Sequence, residues 1–386
     1  MDEMNELYYR EPYTREFDTK KVSCTKVQDH YETVLADTAF YPEGGGQEAD
    51  HGTLNGIAVY DVQNHDGVII HYTKEPVEEV RVHGIIDWDR RFMNMQMHTA
   101  DHIFSGIVHK HFGYDNVGFG MGEHGVRMDF SGYMSEEEIR QMELEANEAI
   151  WNNLPVEASF PDADTLKHME YRSKKELKGK VRIITIPGVD VCACCGTHVE
   201  KTGEVGSIRI YSSEKYKGGV RVIMLAGKKA LLEDNILCEE NHKISAALSA
   251  QPQHTFESVK NLQNQLAEEK QKHTQLLLEL MNYKIQSYED NSKLAIDFEE
   301  DADRNFMVKF ANTLVDEKHI ETAAVLNHTE QGYAYVIISH TVDLKAHVKD
   351  INSLLNGRGG GKKDVIQGSF SADKDKIREV LQNILG

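Results

Sequence analysis

The feature that most constrains this chain is a pair of short stretches far apart in its sequence. Residues 97–103 read M-H-T-A-D-H-I, and residues 191–199 read V-C-A-C-C-G-T-H-V. Side chains four positions apart on a helix project from one face, so His98 and His102 would present two imidazoles together. Cys194 and His198 are also four apart. Gly196 and Thr197 between them break a helix and favour a turn, which can fold a thiol and an imidazole onto one point. One thiolate and three imidazoles form a set that a single Zn²⁺ per chain, a borderline-soft ion, accepts tetrahedrally. A fold that uses both stretches must bring a helix against a distant turn.

A competing pairing is Cys192 with Cys195, whose C-x-x-C spacing would make a structural zinc knuckle or a redox pair; no second C-x-x-C accompanies it. Strand alternation places Cys192 on the same face as Cys194, as a spare ligand or a thiol beside the site. Only Cys194 stands four before His198, which assigns it to the metal. The five cysteines form an odd set with three of them in four positions, which suits metal binding in a reducing cytoplasm better than disulfides.

No apolar run is long enough for a transmembrane helix, and the acidic start, Met1-Asp2-Glu3, has no apolar stretch behind it, so neither a membrane nor a secretory signal is expected. The net charge of −20 argues at first against nucleic acid. Basic strips at residues 167–180 and 214–229 interrupt that acidity, as solvated faces or as contacts for RNA.

The chain reads as α+β. Residues 1–89 hold short β-branched runs (21–26, 33–37, 56–60, 68–72, 80–86) at a spacing that fits a small antiparallel barrel. Inside that region Gly44, Gly45 and Gly46 form either a flexible turn or a loop that lets backbone approach a ligand. Residues 90–227 read as mixed α/β, with a helix over 98–112 stopped by Gly113 and a second helix opened by the capping box at Ser135 and Glu138. Strands are expected at 181–186, 206–211 and 220–225, with the cysteine stretch between strands. Residues 228–290 are helical with a break at Pro252 and an a/d rhythm, a helical hairpin or short coiled coil that could dimerise. Residues 291–386 alternate strand and helix. There the run from Gly357 to Lys363 fails as a P-loop because Asn356 and Lys363 stand where Gly and Ser or Thr are needed. It reads as a loop whose Arg358, Lys362 and Lys363 meet a phosphate backbone.

These residues resemble a known family. The H-x-x-x-H of His98–His102 and the run Cys194-Cys195-Gly196-Thr197-His198-Val199 are similar to the two motifs of alanyl-tRNA synthetase editing domains and of the free-standing alanyl-tRNA editing proteins, the AlaX group. The glycine-rich run 40–47 resembles the signature of the preceding barrel in that family, and 358–367 the carboxy-terminal DHH-associated domain of its long form. No DHH phosphoesterase domain and no preceding class II aminoacylation domain is expected. Cys195 departs from a motif glycine and would crowd the turn. Asp101 stands where relatives carry a small or apolar residue.

The resemblance implies trans-editing: hydrolysis of mischarged Ser-tRNA(Ala), with glycine as a second substrate, sparing Ala-tRNA(Ala). It makes His98, His102, Cys194 and His198 the zinc ligands. Thr38, Gln47 and Asp101 become candidates to contact the seryl hydroxyl or amino group, with Asp101 alternatively supporting a ligand. Gly44, Gly45 and Gly46 border the substrate. Arg90, Arg91, Arg221, Arg358, Lys362 and Lys363 are candidate phosphate contacts on tRNA(Ala). The rival reading is a non-catalytic, zinc-stabilised RNA-binding protein. A metal-dependent phosphoesterase would need an Asp-rich cluster that the sequence lacks.

Overall fold

The computed structural model describes residues 6–122, 125–173 and 181–386. The chain forms two compact units, Met1–Lys243 and Ile244–Gly386.

The first unit opens with a short helix, α1 (Leu7–Arg10), followed by six strands: β1 (Glu16–Val27), β2 (His30–Leu35), β3 (Gly52–Leu54), β4 (Ile57–His65), β5 (Val68–Thr73) and β6 (Arg81–Ile86). They close into an antiparallel barrel in the order β1-β2-β5-β4-β3-β6. Strict alternation of exposed and buried residues along β6 shows why the register holds: a slip by one would turn its apolar set outward. Phe17, Phe40, Leu54, Val62 and Val82 fill the interior.

Helix α2 runs Trp88–Phe112, ten residues earlier at its start than the periodicity predicts. The reason is Asp87, whose carboxylate accepts from the Arg90 backbone N–H and caps the helix. Gly113, in left-handed conformation at φ 67°, ends it. Nearly the whole middle of this helix is buried, because strands and a helix surround it: β7 (Asn116–Gly122), β8 (Gly125–Phe130) and α3 (Glu136–Trp151). The capping box at Ser135 and Glu138 forms as the sequence predicts.

The unit continues with β9 (Glu157–Ser159), α4 (Ala163–His168), β10 (Ile183–Ile186), β11 (Asp190–Ala193), β12 (Ile208–Tyr216), β13 (Gly219–Ala226) and, as far as Lys243, α5 (Gly227–Ala247). One sheet has the order β12-β13-β8-β7 and a smaller one β11-β10-β9. The β7–β8 pair is absent from the sequence reading because Gly118, Gly120, Gly122 and Gly125 remove the β-branched signal from it.

The second unit holds α6 (Thr255–Gln286), β14 (Leu294–Glu299), α7 (Arg304–Glu317), β15 (Thr322–Thr329), β16 (Gly332–Ser339), α8 (Leu344–Leu354), β17 (Arg358–Gly361), β18 (Val365–Phe370) and α9 (Lys374–Leu385). Its five strands are ordered β14-β15-β16-β18-β17, with β14 and β15 parallel. One face of the sheet packs on α7 and on Met281 and Ile285 of α6; the other carries α8 and α9. The glycine-rich run read as a loop is in part an edge strand. At Gly359 and Gly361 an added Cβ would lie 2.4 and 2.0 Å from β18 backbone oxygens, so only glycine lets β17 pair so closely.

Candidate metal centre and its surroundings

The two distant stretches meet. Ligand atoms of His98, His102, Cys194 and His198 all lie within 4.8 Å of one another. The Cys194 Sγ stands 3.3 Å from His98 Nε2 and 3.4 Å from His198 Nε2. The three imidazoles are buried, and Cys194 is the half-buried member of the set.

Each ring is held by a contact at its other nitrogen. His98 Nδ1 donates to Gln47 Oε1 at 2.9 Å, and that oxygen also accepts from the Thr197 N–H at 3.0 Å. The Gln47 amide nitrogen donates to Thr197 Oγ1 at 2.9 Å, so one side chain from the barrel fixes both halves of the site. His102 Nδ1 donates to Asp190 Oδ2 at 2.9 Å, and Arg172 donates to both oxygens of that carboxylate at 2.8 and 2.9 Å. His198 Nδ1 faces Thr99 Oγ1 at 3.3 Å. Protons held at Nδ1 leave the Nε2 lone pairs for the centre, the arrangement that outer partners impose on metal-binding histidines.

Two glycines make the assembly possible. A Cβ at Gly106, one turn after His102, would lie 2.5 Å from Val189 O and 2.8 Å from Asp190 Cβ, so its absence lets α2 approach β11 and sets Asp190 beside His102. A Cβ at Gly196 would sit 1.9 Å from His98 Cε1. Cys195 is exposed and has no left-handed backbone, so the expected crowding there does not arise; Gly196 is the position with no room.

The electrostatics follow from burial and pairing. Burial pulls the His102 imidazole down, but the Cys194 thiolate and the Asp190 carboxylate outweigh it and raise its pKa to about 9. Burial would push the Cys194 thiol up; the three surrounding imidazoles hold it well below the ordinary range instead. Burial drops His198 to about 3, despite the thiolate beside it. A thiolate with neutral and proton-releasing imidazoles is the donor chemistry that Zn²⁺ requires, so the residues fit the ion.

The other predicted residues scatter. Asp101 is buried, where its Oδ1 accepts from Ser105 Oγ and Asn116 Nδ2, each at 2.9 Å. Thr38 is enclosed in the barrel with Oγ1 2.8 Å from His71 Nε2. Gly44 and Gly45 line a cavity with Cys195, whereas the close approach of Gly46 is to the Phe119 ring, itself stacked on His98 at 5.2 Å.

Among the cations, Arg91 is a correction. It is fully buried and donates to both Asp50 oxygens and to Pro12 O, so it cannot touch a phosphate. Arg90 pairs with Glu48, and Arg221 chelates Asp129 while lying over Tyr216. Arg358, Lys362 and Lys363 are exposed. Of the first basic strip, Arg172 belongs to the site rather than to a solvated face, and residues 174–180 lie outside the described residues.

Sequence reasoning missed Asp190, Arg172, Thr99 and Arg182. Of these only Arg172 left a trace, as a member of the basic strip 167–180; Asp190 stands one residue before the cysteine stretch and carried no signal of its own.

Comparison with known proteins places these features. Residues 181–223 match the family model described as threonyl and alanyl tRNA synthetase second additional domain, residues 7–90 that of class II (A) tRNA synthetases, and residues 291–386 the DHHA1 domain. The alanyl-tRNA editing protein AlaX-L of Pyrococcus horikoshii is 31% identical over 97% of this chain and 96% of its own length. The alanyl-tRNA editing protein Aarsd1 of Rattus norvegicus is 28% identical over 98% of this chain and 97% of its own. The alanine–tRNA ligase of Pyrococcus abyssi is 31% identical across the whole of this chain, which spans only 44% of that ligase.

Proposed function

The chain belongs to the alanyl-tRNA editing protein family, and we propose on that premise that it is a cytoplasmic trans-editing hydrolase. It would remove serine, and glycine as a second substrate, from tRNA(Ala) and spare Ala-tRNA(Ala). The observation that carries this reading is the convergence of His98, His102, Cys194 and His198, from two stretches ninety-odd positions apart in the numbering, beside an open cavity.

The physical need is plain. A synthetic site shaped for alanine rejects serine or glycine weakly, since one small group is worth only about 1–3 kcal/mol. A second site that pairs with the seryl hydroxyl discriminates in the other direction, because alanine leaves its polar groups unpaired.

Hydrolysis forms a bond from water oxygen to the acyl carbon, breaks the acyl–ribose bond and returns a proton to the ribose oxygen. Held by the four ligands, one Zn²⁺ would supply Lewis acidity that polarises the ester or acidifies water. The chain's own residues do the positioning. Gln47 uses its amide to hold His98 and Thr197, so it acts through a ligand rather than on substrate. Asp190, backed by Arg172, orients His102, and Thr99 does so for His198. Asp101 braces α2 through Ser105 and Asn116, and with Thr38 it remains a candidate for the seryl hydroxyl or amino group. Arg358, Lys362 and Lys363 are proposed to meet the tRNA backbone, and the exposed row Leu262, Leu266, Leu276 and Leu280 on α6 to pair two copies.

A full set of four protein ligands also suits a closed, structural zinc, which favours the non-catalytic RNA-binding reading as the alternative. One experiment separates them. The full chain is incubated with Ser-tRNA(Ala) and with Ala-tRNA(Ala), with chelator and after Zn²⁺ is restored. The expected result is release of serine only, abolished by chelator and recovered with the ion. Seryl ester that survives intact would leave RNA binding as the function.

A further inference from the structure

The His98 imidazole is fixed at one atom by Gln47, whose Oε1 accepts from Nδ1 at 2.9 Å. One hydrogen bond sets a direction and leaves the ring free to tilt about it. The rotamer adds little, because the outer torsion of a histidine side chain is broad. A ligand has to aim its lone pair, so a second contact must set the plane of this ring.

That contact comes from β7. The half-buried Phe119 ring lies on the His98 ring with centroids 5.2 Å apart and planes 24° from parallel, an offset stack. A further edge of the imidazole is closed by the ligand turn, where a Cβ at Gly196 would stand 1.9 Å from Cε1.

The Phe119 ring is in turn seated by the barrel. β7 is the outermost strand of the sheet β12-β13-β8-β7, and beyond it the Met121 N–H donates to Gly46 O at 3.0 Å. A Cβ at Gly46 would lie 2.5 and 2.9 Å from Phe119 Cδ1 and Cε1, so the glycine is the space into which the ring fits. Two adjacent residues of one turn therefore act on His98. Gln47 does so directly at Nδ1, and Gly46 through the ring laid on the imidazole face.

We propose that Phe119 is a positioning residue of the metal centre, its ring fixing the plane of His98 so that Nε2 faces the ion; the inference rests on the metal-dependent editing reading above. The β7–β8 hairpin thereby joins α2 and the ligand turn in building the site. The bland alternative is a side chain that only fills space, and the two roles differ in what can replace the ring. An aliphatic side chain of similar bulk fills the space as well, whereas only a flat ring sets a plane.

The probe is Co²⁺, whose visible absorption follows ligand geometry, titrated into the metal-free full chain. Phe119→Leu and Phe119→Met, two ringless replacements, are expected to change the shape of the cobalt spectrum. They should also weaken binding about fivefold, the scale of one aromatic stack. Phe119→Tyr should restore both, and thermal unfolding of the metal-free proteins should be nearly the same for all four. Ringless variants with the wild-type spectrum and affinity overturn the proposal, as does a tyrosine variant that behaves like them. Metal-free stability lost in the same order as cobalt affinity would make the ring a packing element and overturn it too. Deacylation of Ser-tRNA(Ala) by the same preparations keeps the two ideas apart. Active wild type with cobalt spectra indifferent to the ring defeats the positioning role alone. Wild type that loads Co²⁺ and leaves the seryl ester intact, with spectra that follow the ring, defeats the editing reading and leaves the role standing. A wild-type chain that takes up no Co²⁺ defeats the role together with the metal site.

Discussion

His102 Nδ1 lies 2.9 Å from Asp190 Oδ2, and the same carboxylate is held by both arms of Arg172. All of this is nearly sealed from water, with the Asp190 side chain 1% exposed. A carboxylate so placed orients the ring and raises its basicity toward a metal, an effect typically worth about 10–100-fold in affinity. Asp190→Asn is therefore expected to lower Zn²⁺ affinity by that amount, read by competition with a chromogenic chelator. An affinity within twofold of wild type would reduce the contact to packing.

The steric roles of the neighbouring glycines give a second contrast. Gly196→Ala drives a methyl into the His98 ring, where the Cβ would stand 1.9 Å from Cε1, so the ring must leave its place. The purified variant should carry less than a tenth of the wild-type zinc, by the severity of such overlaps in packed interiors. Cys195→Gly, beside it, should retain full metal content, because the Cys195 side chain points outward. Metal analysis of the two proteins side by side checks both halves.

How much of this was legible before the fold was known depends on the range of the interaction. The clustering of His98 with His102 and of Cys194 with His198 could be read because each pair sits about one turn of backbone apart, where the spacing alone places side chains together. Gln47 was picked out as a substrate contact, yet it spends itself on His98 and Thr197, a role visible only once the barrel loop is docked. Asp190 and Arg172 were illegible as partners of His102, because the approach of α2 to β11 at Gly106 creates that contact and no local pattern records it. Arg91 misled for the reverse reason. An arginine beside Arg90 at the start of a helix looks solvent-facing, and only Asp50, far away in sequence, draws it into the interior. The β7–β8 hairpin and β17 were lost because glycine, needed there for close approach, erases the strand signal.

If the centre binds Zn²⁺ as proposed, protonation sets how the ion enters. His102 is protonated in the metal-free protein, its pKa raised to about 9, whereas Cys194 is already a thiolate and His198, at about 3, is already neutral. Loading near pH 7.5 should thus release about one proton, and affinity should climb about tenfold per pH unit up to the His102 pKa and then level. Calorimetry in buffers of different ionisation enthalpy gives the number. Release of about two protons would show that Cys194 enters as a thiol.

A separate titration sits in the barrel. His71 is fully buried between Thr38 and Thr33 O, and burial lowers its pKa to about 4. The folded state resists this proton while the unfolded chain accepts it near 6.5, so stability is unaffected above pH 6.5 and falls as pH drops from there to 4. The loss attributable to this one group is about 3 kcal/mol at most. Urea midpoints at pH 7 and 4.5 should differ less in His71→Gln than in wild type, and equal slopes would assign the acid sensitivity elsewhere.

The sorting of the cations into interior and exposed predicts two opposite phenotypes. Removing the Arg91 guanidinium strands the buried Asp50, which also holds the Tyr41 N–H at 2.7 Å, and breaking such a pair costs about 3–5 kcal/mol. Arg91→Ala should therefore lower the unfolding midpoint sharply while leaving the salt dependence of tRNA binding unchanged in whatever protein remains folded. Lys362→Gln and Lys363→Gln should do the reverse. Both side chains are exposed beyond the edge strand β17, so neither has packing to lose. Each phosphate contact removed should reduce the slope of log K against log salt by about 1, with no change in thermal midpoint. A salt slope that stays put in the double variant would take the glycine-rich edge out of the RNA interface.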